Sequence, residues 1–137
     1  MMKLKLKQML AGVVCIAALA GCSALDRTEP VRTPRTIITS HVTTEQVKEA
    51  IINAGQGRDW IMSVAGPGVI NATQNIRKHS VTVRINYSEK DYSINYVNSV
   101  NLLASGGEIH RSYNHWVNNL DKDIQKRLAI VAATPAK

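Results

Sequence analysis

Beyond position 22 this 137-residue chain has no cysteine; its only two are Cys15 and Cys22. No disulfide can close past that point, so the rest of the chain must be held by its core alone. Acids are scarce too, ten against 17 Lys and Arg, giving a formal charge of +7. The longest apolar run, Met9 to Ala20, falls short of the roughly 20 residues that a helix needs to cross a bilayer. Catalytic signatures are missing as well. No Gly-x-Ser-x-Gly is present, and Gly66-Pro67-Gly68 lacks the spacing and lysine of a nucleotide loop. His110 and His115 are five apart and point to different faces of a helix, so no zinc pair is expected. Asp59 and Glu108 are the only acid pair near the aromatic end, where a glycosidase would need two facing carboxyl groups. The reading is of a protein with no catalytic residue, no metal and no cofactor.

What the chain does have begins with a leader. Lys3, Lys5 and Lys7 precede the apolar run, which is a signal-peptide layout. Its ending, Leu19-Ala20-Gly21-Cys22, resembles the bacterial lipoprotein signal. The resemblance implies removal of residues 1–21, a diacylglycerol on the Cys22 sulfur and an acyl chain on its new amino group. Each buried methylene is worth about 0.8 kcal/mol and a single chain binds marginally, so two or three chains anchor the protein. Ser23 in place of Asp implies the outer membrane, with the domain in the periplasm. Nucleic acid is not an expected partner after export. The leader takes three bases and no acid, leaving 14 bases against ten acids. That excess suits acidic headgroups or cell-wall polymer, or simply solubility.

Residues 22–42, with Pro30, Pro34 and repeated threonine, read as a mostly irregular tether in which Ile37 and Ile38 could form a short edge strand. Fully extended, such a stretch reaches about 65 to 70 Å, and as a coil about 25 Å.

Residues 43–131 read as a single α+β domain, with 132–137 as a tail. Thr43 and Gln46 form a capping box for a helix to Ala54, Val42 and Val47 occupy the staple positions, and Gly55 follows the end. Val47, Ala50, Ile51 and Ala54 make its apolar stripe. Trp60, Met62 and Val64 alternate as a short strand before Gly66-Pro67-Gly68. Val69 to Lys78, His79 to Tyr87 and Tyr92 to Asn98 come next as antiparallel strands. From Ile109 to Val131 a second helix carries Tyr113, Trp116, Val117, Leu120, Ile124 and Leu128 at helical spacing, with Asp123 placed to support Arg127. All six aromatics lie between Trp60 and Trp116. The expected fold is an antiparallel sheet of three to four strands with both helices on one face, in the order α-β-β-β-α.

Alternation in the two clearest strands leaves Thr82, Arg84, Asn86, Ser93 and Asn95 on the uncovered face, which is either plain wet surface or a docking surface. A second candidate patch is Trp60, Glu108, His110, Arg111, Tyr113 and Asn114. It could grip a sugar or peptide, or His110 and Asn114 could instead satisfy backbone groups while Arg58 pairs with Glu108 or Asp59. The run from Arg58-Asp59-Trp60 to Ile109-His110 and Tyr113-Asn114-His115-Trp116 resembles a group of small, uncharacterised lipoproteins of Gram-negative bacteria. That resemblance implies class and location, and supplies no catalytic residue. The functional expectation is a non-enzymatic envelope module that binds a protein or peptidoglycan. The alternatives are a small cell-wall-modifying enzyme using Glu108 or Asp59 with His110, and an inhibitor or immunity-type lipoprotein.

Overall fold

A computed structural model describes residues 27–134; Cys22, the leader and residues 135–137 lie outside the described residues. Two three-residue strands come first, β1 (Thr28–Pro30) and β2 (Arg35–Ile37). Both fall where an irregular tether was expected. The strand foreseen around Ile37 is β2, but β1 and the anchoring of the whole segment were not foreseen. Three residues are too few to show a period of two, and both strands exist only through partners far along the chain.

Thr43 caps α1 (Thr44–Gln56) as its sequence requires. The Gln46 amide donates to its hydroxyl at 3.1 Å, and the Thr43 amide donates to the Gln46 side chain at 2.8 Å. Val47, Ala50, Ile51 and Ala54 are buried, so the predicted stripe is the one that packs. The helix runs past Gly55 to a C-cap at Gly57. Gly55 has a different role: it is buried under the Met62 side chain, which a Cβ there would strike.

β3 (Ile61–Gly66), β4 (Val69–Ile76), β5 (His79–Tyr87) and β6 (Asp91–Val100) then form an antiparallel meander, and β2 adds to the outer side of β6. The sheet therefore has five strands, in the order β2-β6-β5-β4-β3, rather than three or four. β7 (Glu108–His110) pairs with β1 in a separate ribbon, Thr28 opposite His110 and Pro30 opposite Glu108. That pairing delays α2 (Arg111–Ala133) by two residues relative to the expected start at Ile109. The order of elements is thus β-β-α-β-β-β-β-β-α, and the α+β class stands.

Ile70, Ala72, Val83, Ile85 and Ile94 of the sheet meet Val47 and Ile51 of α1 and Val117, Leu120 and Ile124 of α2 in one core. Each Val, Leu or Ile among them contributes about 1.5–3 kcal/mol when fully buried. Polar ties fix the layers. The Tyr92 hydroxyl donates to the Asp121 carboxylate, and Thr36 Oγ1 donates to the same group at 2.8 Å, joining β2, β6 and α2. Asp123 takes Arg58 as its partner, replacing both the expected support of Arg127 and the expected pairing of Arg58 with Glu108 or Asp59. Among the described residues no helix is long and apolar enough to cross a membrane.

The turn between β3 and β4 depends on Gly68. Its φ is +72°, and a Cβ would lie 2.9 Å from the Tyr87 carbonyl oxygen. Pro67 before it sets the φ of the preceding turn position. Gly68→Ala is expected to cost about 1–2 kcal/mol, whereas Gly66→Ala, with open space at its Cβ, should stay within about 0.5 kcal/mol. Thermal denaturation of the two variants side by side checks this; equal melting temperatures would show that the turn does not need its left-handed glycine.

Candidate functional site

Cross-strand register assembles the open face of the sheet. Asn71 lies opposite Arg84 and Arg84 opposite Asn95; Thr73 faces Thr82, and Asn86 faces Ser93. The neighbours of these residues along each strand, Ile70, Ala72, Val81, Val83, Ile85 and Ile94, are buried beneath the helices. The five residues expected on this face therefore do share it, and β4 adds Asn71 and Thr73. These two could have been found by carrying the alternation back from Ala72. It was obscured because Gln74 occupies an inward position, where its Nε2 donates to the Arg58 carbonyl at 3.2 Å.

Hydrogen bonds tie the face together. Asn95 Nδ2 donates to the Arg84 carbonyl at 3.1 Å and to Ser93 Oγ at 3.0 Å. Arg84 Nε donates to Asn71 Oδ1 at 3.3 Å, and the Thr73 and Thr82 hydroxyls are 3.1 Å apart. The result is a fixed array of amides and hydroxyls around one guanidinium. At its edge a hollow of about 340 Å³ is lined by Arg35, Gly68, Asn86, Asp91 and Ser93 among others. Arg35 reaches Asp91 at 3.5 Å there, an exposed pair worth about 1 kcal/mol or less.

The second candidate patch does not assemble as a surface. Trp60 is 3% exposed and Tyr113 wholly buried, so neither ring can stack on a ligand. Asn114 is buried as well, and its carboxamide works on the backbone. Oδ1 accepts from the Arg32 amide at 3.0 Å, while Nδ2 donates to the Pro30 carbonyl and to Glu29 Oε1, both at 3.0 Å. His110 is the N-cap of α2, its Nδ1 accepting from the Ser112 amide at 3.1 Å. Glu108 lies half-buried in β7 and Arg111 is exposed at the helix start. Asp59 is exposed in the turn before β3, at a φ of +64°. An open groove of about 740 Å³ lies between residues 38–43 and the last turn of α2, lined by Ile38, His41, Gln46, Lys90 and Val131 among others. Neither Asp59 nor Glu108 belongs to that lining. No group of three or more His, Cys, Asp or Glu that could hold a metal occurs among the described residues. The chain matches no protein-family model and no curated protein.

Two tyrosines carry the perturbed titrations of the core. Burial raises both hydroxyls above the ordinary value of 10, and for Tyr92 the hydrogen bond to Asp121 adds to it. Tyr113 packs edge-on to Tyr96 with centroids 5.5 Å apart, and its hydroxyl has no partner among the described residues. Tyr113→Phe should therefore be neutral or stabilising by about 1 kcal/mol, while Tyr92→Phe should cost about 1–2 kcal/mol. Below pH 10 both states keep the phenolic proton and these groups leave stability level. Above it the unfolded chain ionises first, so stability falls as pH rises. Urea unfolding at neutral and alkaline pH checks both statements; an unchanged alkaline slope in Tyr92→Phe would contradict the second.

Proposed function

We propose that this protein is a lipid-anchored, non-enzymatic binding module of the bacterial envelope, attached to the outer membrane through Cys22, whose open sheet face engages cell-wall polymer. The observation that carries the binding half is the array around Arg84, in which Asn71, Asn86, Asn95, Ser93, Thr73 and Thr82 offer donors and acceptors at fixed spacing. Amides and hydroxyls of this kind suit acetamido sugars, and one unburied guanidinium suits a peptide carboxylate. The hollow beside Asn86 and Ser93 falls within the size range of small-ligand sites, at the low end of about 300–1,000 Å³. The anchoring half rests on the Leu19-Ala20-Gly21-Cys22 motif and the leader before it.

The pairing of β1 shortens the leash. From Cys22 to Thr28 is six residues, at most about 20 Å, against the 65 to 70 Å available to a wholly irregular tether. A partner must then come to the membrane-proximal layer.

Cys22→Ser should abolish incorporation of labelled palmitate and stop leader removal, and unchanged labelling would refute the anchor. Arg84→Glu should lower co-sedimentation of the protein with purified peptidoglycan about tenfold, some 1.4 kcal/mol, with the melting temperature unchanged. Equal retention of this variant and the parent would refute use of the open face.

A further inference from the structure

We infer that the end of the molecule carrying Leu103 rests on the anionic lipid surface, so that the domain is docked on the membrane rather than merely tied to it. This deepens, and rests on, the lipid anchoring proposed above. The starting point is where the chain leaves the described structure. Arg27 is held against the start of α2, its carbonyl accepting from the Arg111 amide at 3.1 Å. With about 20 Å of chain at most between Cys22 and β1, this end stays beside the bilayer.

Two further segments are fastened at the same end. The His110 amide donates to the Leu102 carbonyl at 2.7 Å, which places the loop after β6 next to the ribbon. His79 Nδ1 lies 2.8 Å from the Asn101 carbonyl oxygen, and Asn101 Nδ2 donates to the Lys78 carbonyl at 2.8 Å. The β4–β5 hairpin turn, Arg77-Lys78, is thereby locked to that loop.

The loop and the last residue of β6 present apolar side chains outward. Leu103 is 54% exposed and Val100 57%, flanking the buried Leu102. Leu103 adopts a φ of +56°, a region that leucine rarely enters, and Asn101 before it a φ of +60°. A leucine held outward against its own backbone preference is a feature that folding alone does not call for. Bases surround it. Arg77 and Lys78 are exposed without an ion pair among the described residues, and Arg27 stands beside the ribbon. Of the acids on this side, Glu29 is held by Asn114 and Glu108 is half-buried; Asp59 is exposed at the same end of the sheet, but beside the edge strand β3, three strands across from β6. The opposite hairpin turn, Ser88-Glu89-Lys90-Asp91, mixes two acids with one base, and Arg35 pairs with Asp91 there. Apolar side chains ringed by bases match the boundary between acyl chains and anionic headgroups.

The test uses the full lipidated protein in vesicles of phosphatidylethanolamine and phosphatidylglycerol. Leu103→Cys supplies a thiol for an environment-sensitive fluorophore, and Ile130→Cys, 61% exposed near the far end of α2, supplies the comparison. Docking predicts blue-shifted emission and shielding from aqueous iodide at 103 and not at 130, with the shielding reduced severalfold by Arg77→Glu with Lys78→Glu. Equal quenching at the two positions, in protein that still incorporates palmitate, overturns docking and leaves anchoring intact. Absence of palmitate in the parent protein would instead remove the anchor. Amide exchange in the unlabelled protein gives a second reading, independent of the label: residues 101–107 should exchange more slowly in anionic than in neutral vesicles, and residues 89–91 should not. Identical exchange in both vesicles overturns the inference.

Discussion

The carboxamide of Asn114 is the constraint on which the arrangement depends. Its three hydrogen bonds, to Arg32, Pro30 and Glu29, bind the N-terminal segment to the first turn of α2. A typical hydrogen bond contributes only about 0.5–1.5 kcal/mol net, but a buried amide deprived of partners costs more than that. The N-terminal segment is consequently part of the domain. Once β1 is fixed, β7 has a partner, α2 cannot begin before Arg111, and the chain must enter at the helix start.

How much of this was legible tracks the range of the interactions. The capping box of α1 is written within four residues, and β5 and β6 show enough alternation to fix which side chains face out. β1, β2 and β7 have three residues each and owe their existence to partners 55 to 80 or so positions away, so no local pattern marks them. The open face was readable because polar and apolar residues alternate there. Trp60, Tyr113 and Asn114 were ambiguous for a different reason. An aromatic ring or an amide near a loop serves equally to fill a core, satisfy a backbone or grip a ligand, and only burial separates these uses. Asp121 is the mirror case: at mid-helix it looks like surface charge, yet Tyr92 and Thr36 both donate to it.

A domain without disulfides has distributed its long-range ties among such groups. Asp121 joins three elements, Asp123 holds Arg58, and Gln74 holds the Arg58 carbonyl, so the segment entering β3 is fastened from both the helix and the sheet. Tyr113 stands apart, buried with its hydroxyl unmatched among the described residues. The sheet ends differently on its two sides. β2 closes one edge with three residues and Arg35. β3 has no charge, but its pairing shifts between Val64 and Gly66 and stops at Pro67, which leaves little straight edge for another strand.

The entry point of the chain and the direction of the strands together orient the candidate binding face. β4 and β5 run from the Gly68 and Tyr87 end, where the hollow lies, to the Arg77-Lys78 turn. Eight residues of β4 span about 27 Å. If the Leu103 end rests on the membrane as proposed, those strands would stand away from the bilayer and the open face would look sideways along it. Arg84 would then sit above the headgroups, with the hollow at Asn86 and Ser93 farthest out. A polymer layer running parallel to the membrane at that height would meet the hollow first and Arg84 next, without competition from the lipid surface. Such an orientation would reconcile a short leash with an accessible face: the proposed attachment would hold the domain close and turn its polar array toward the space where a wall polymer would lie.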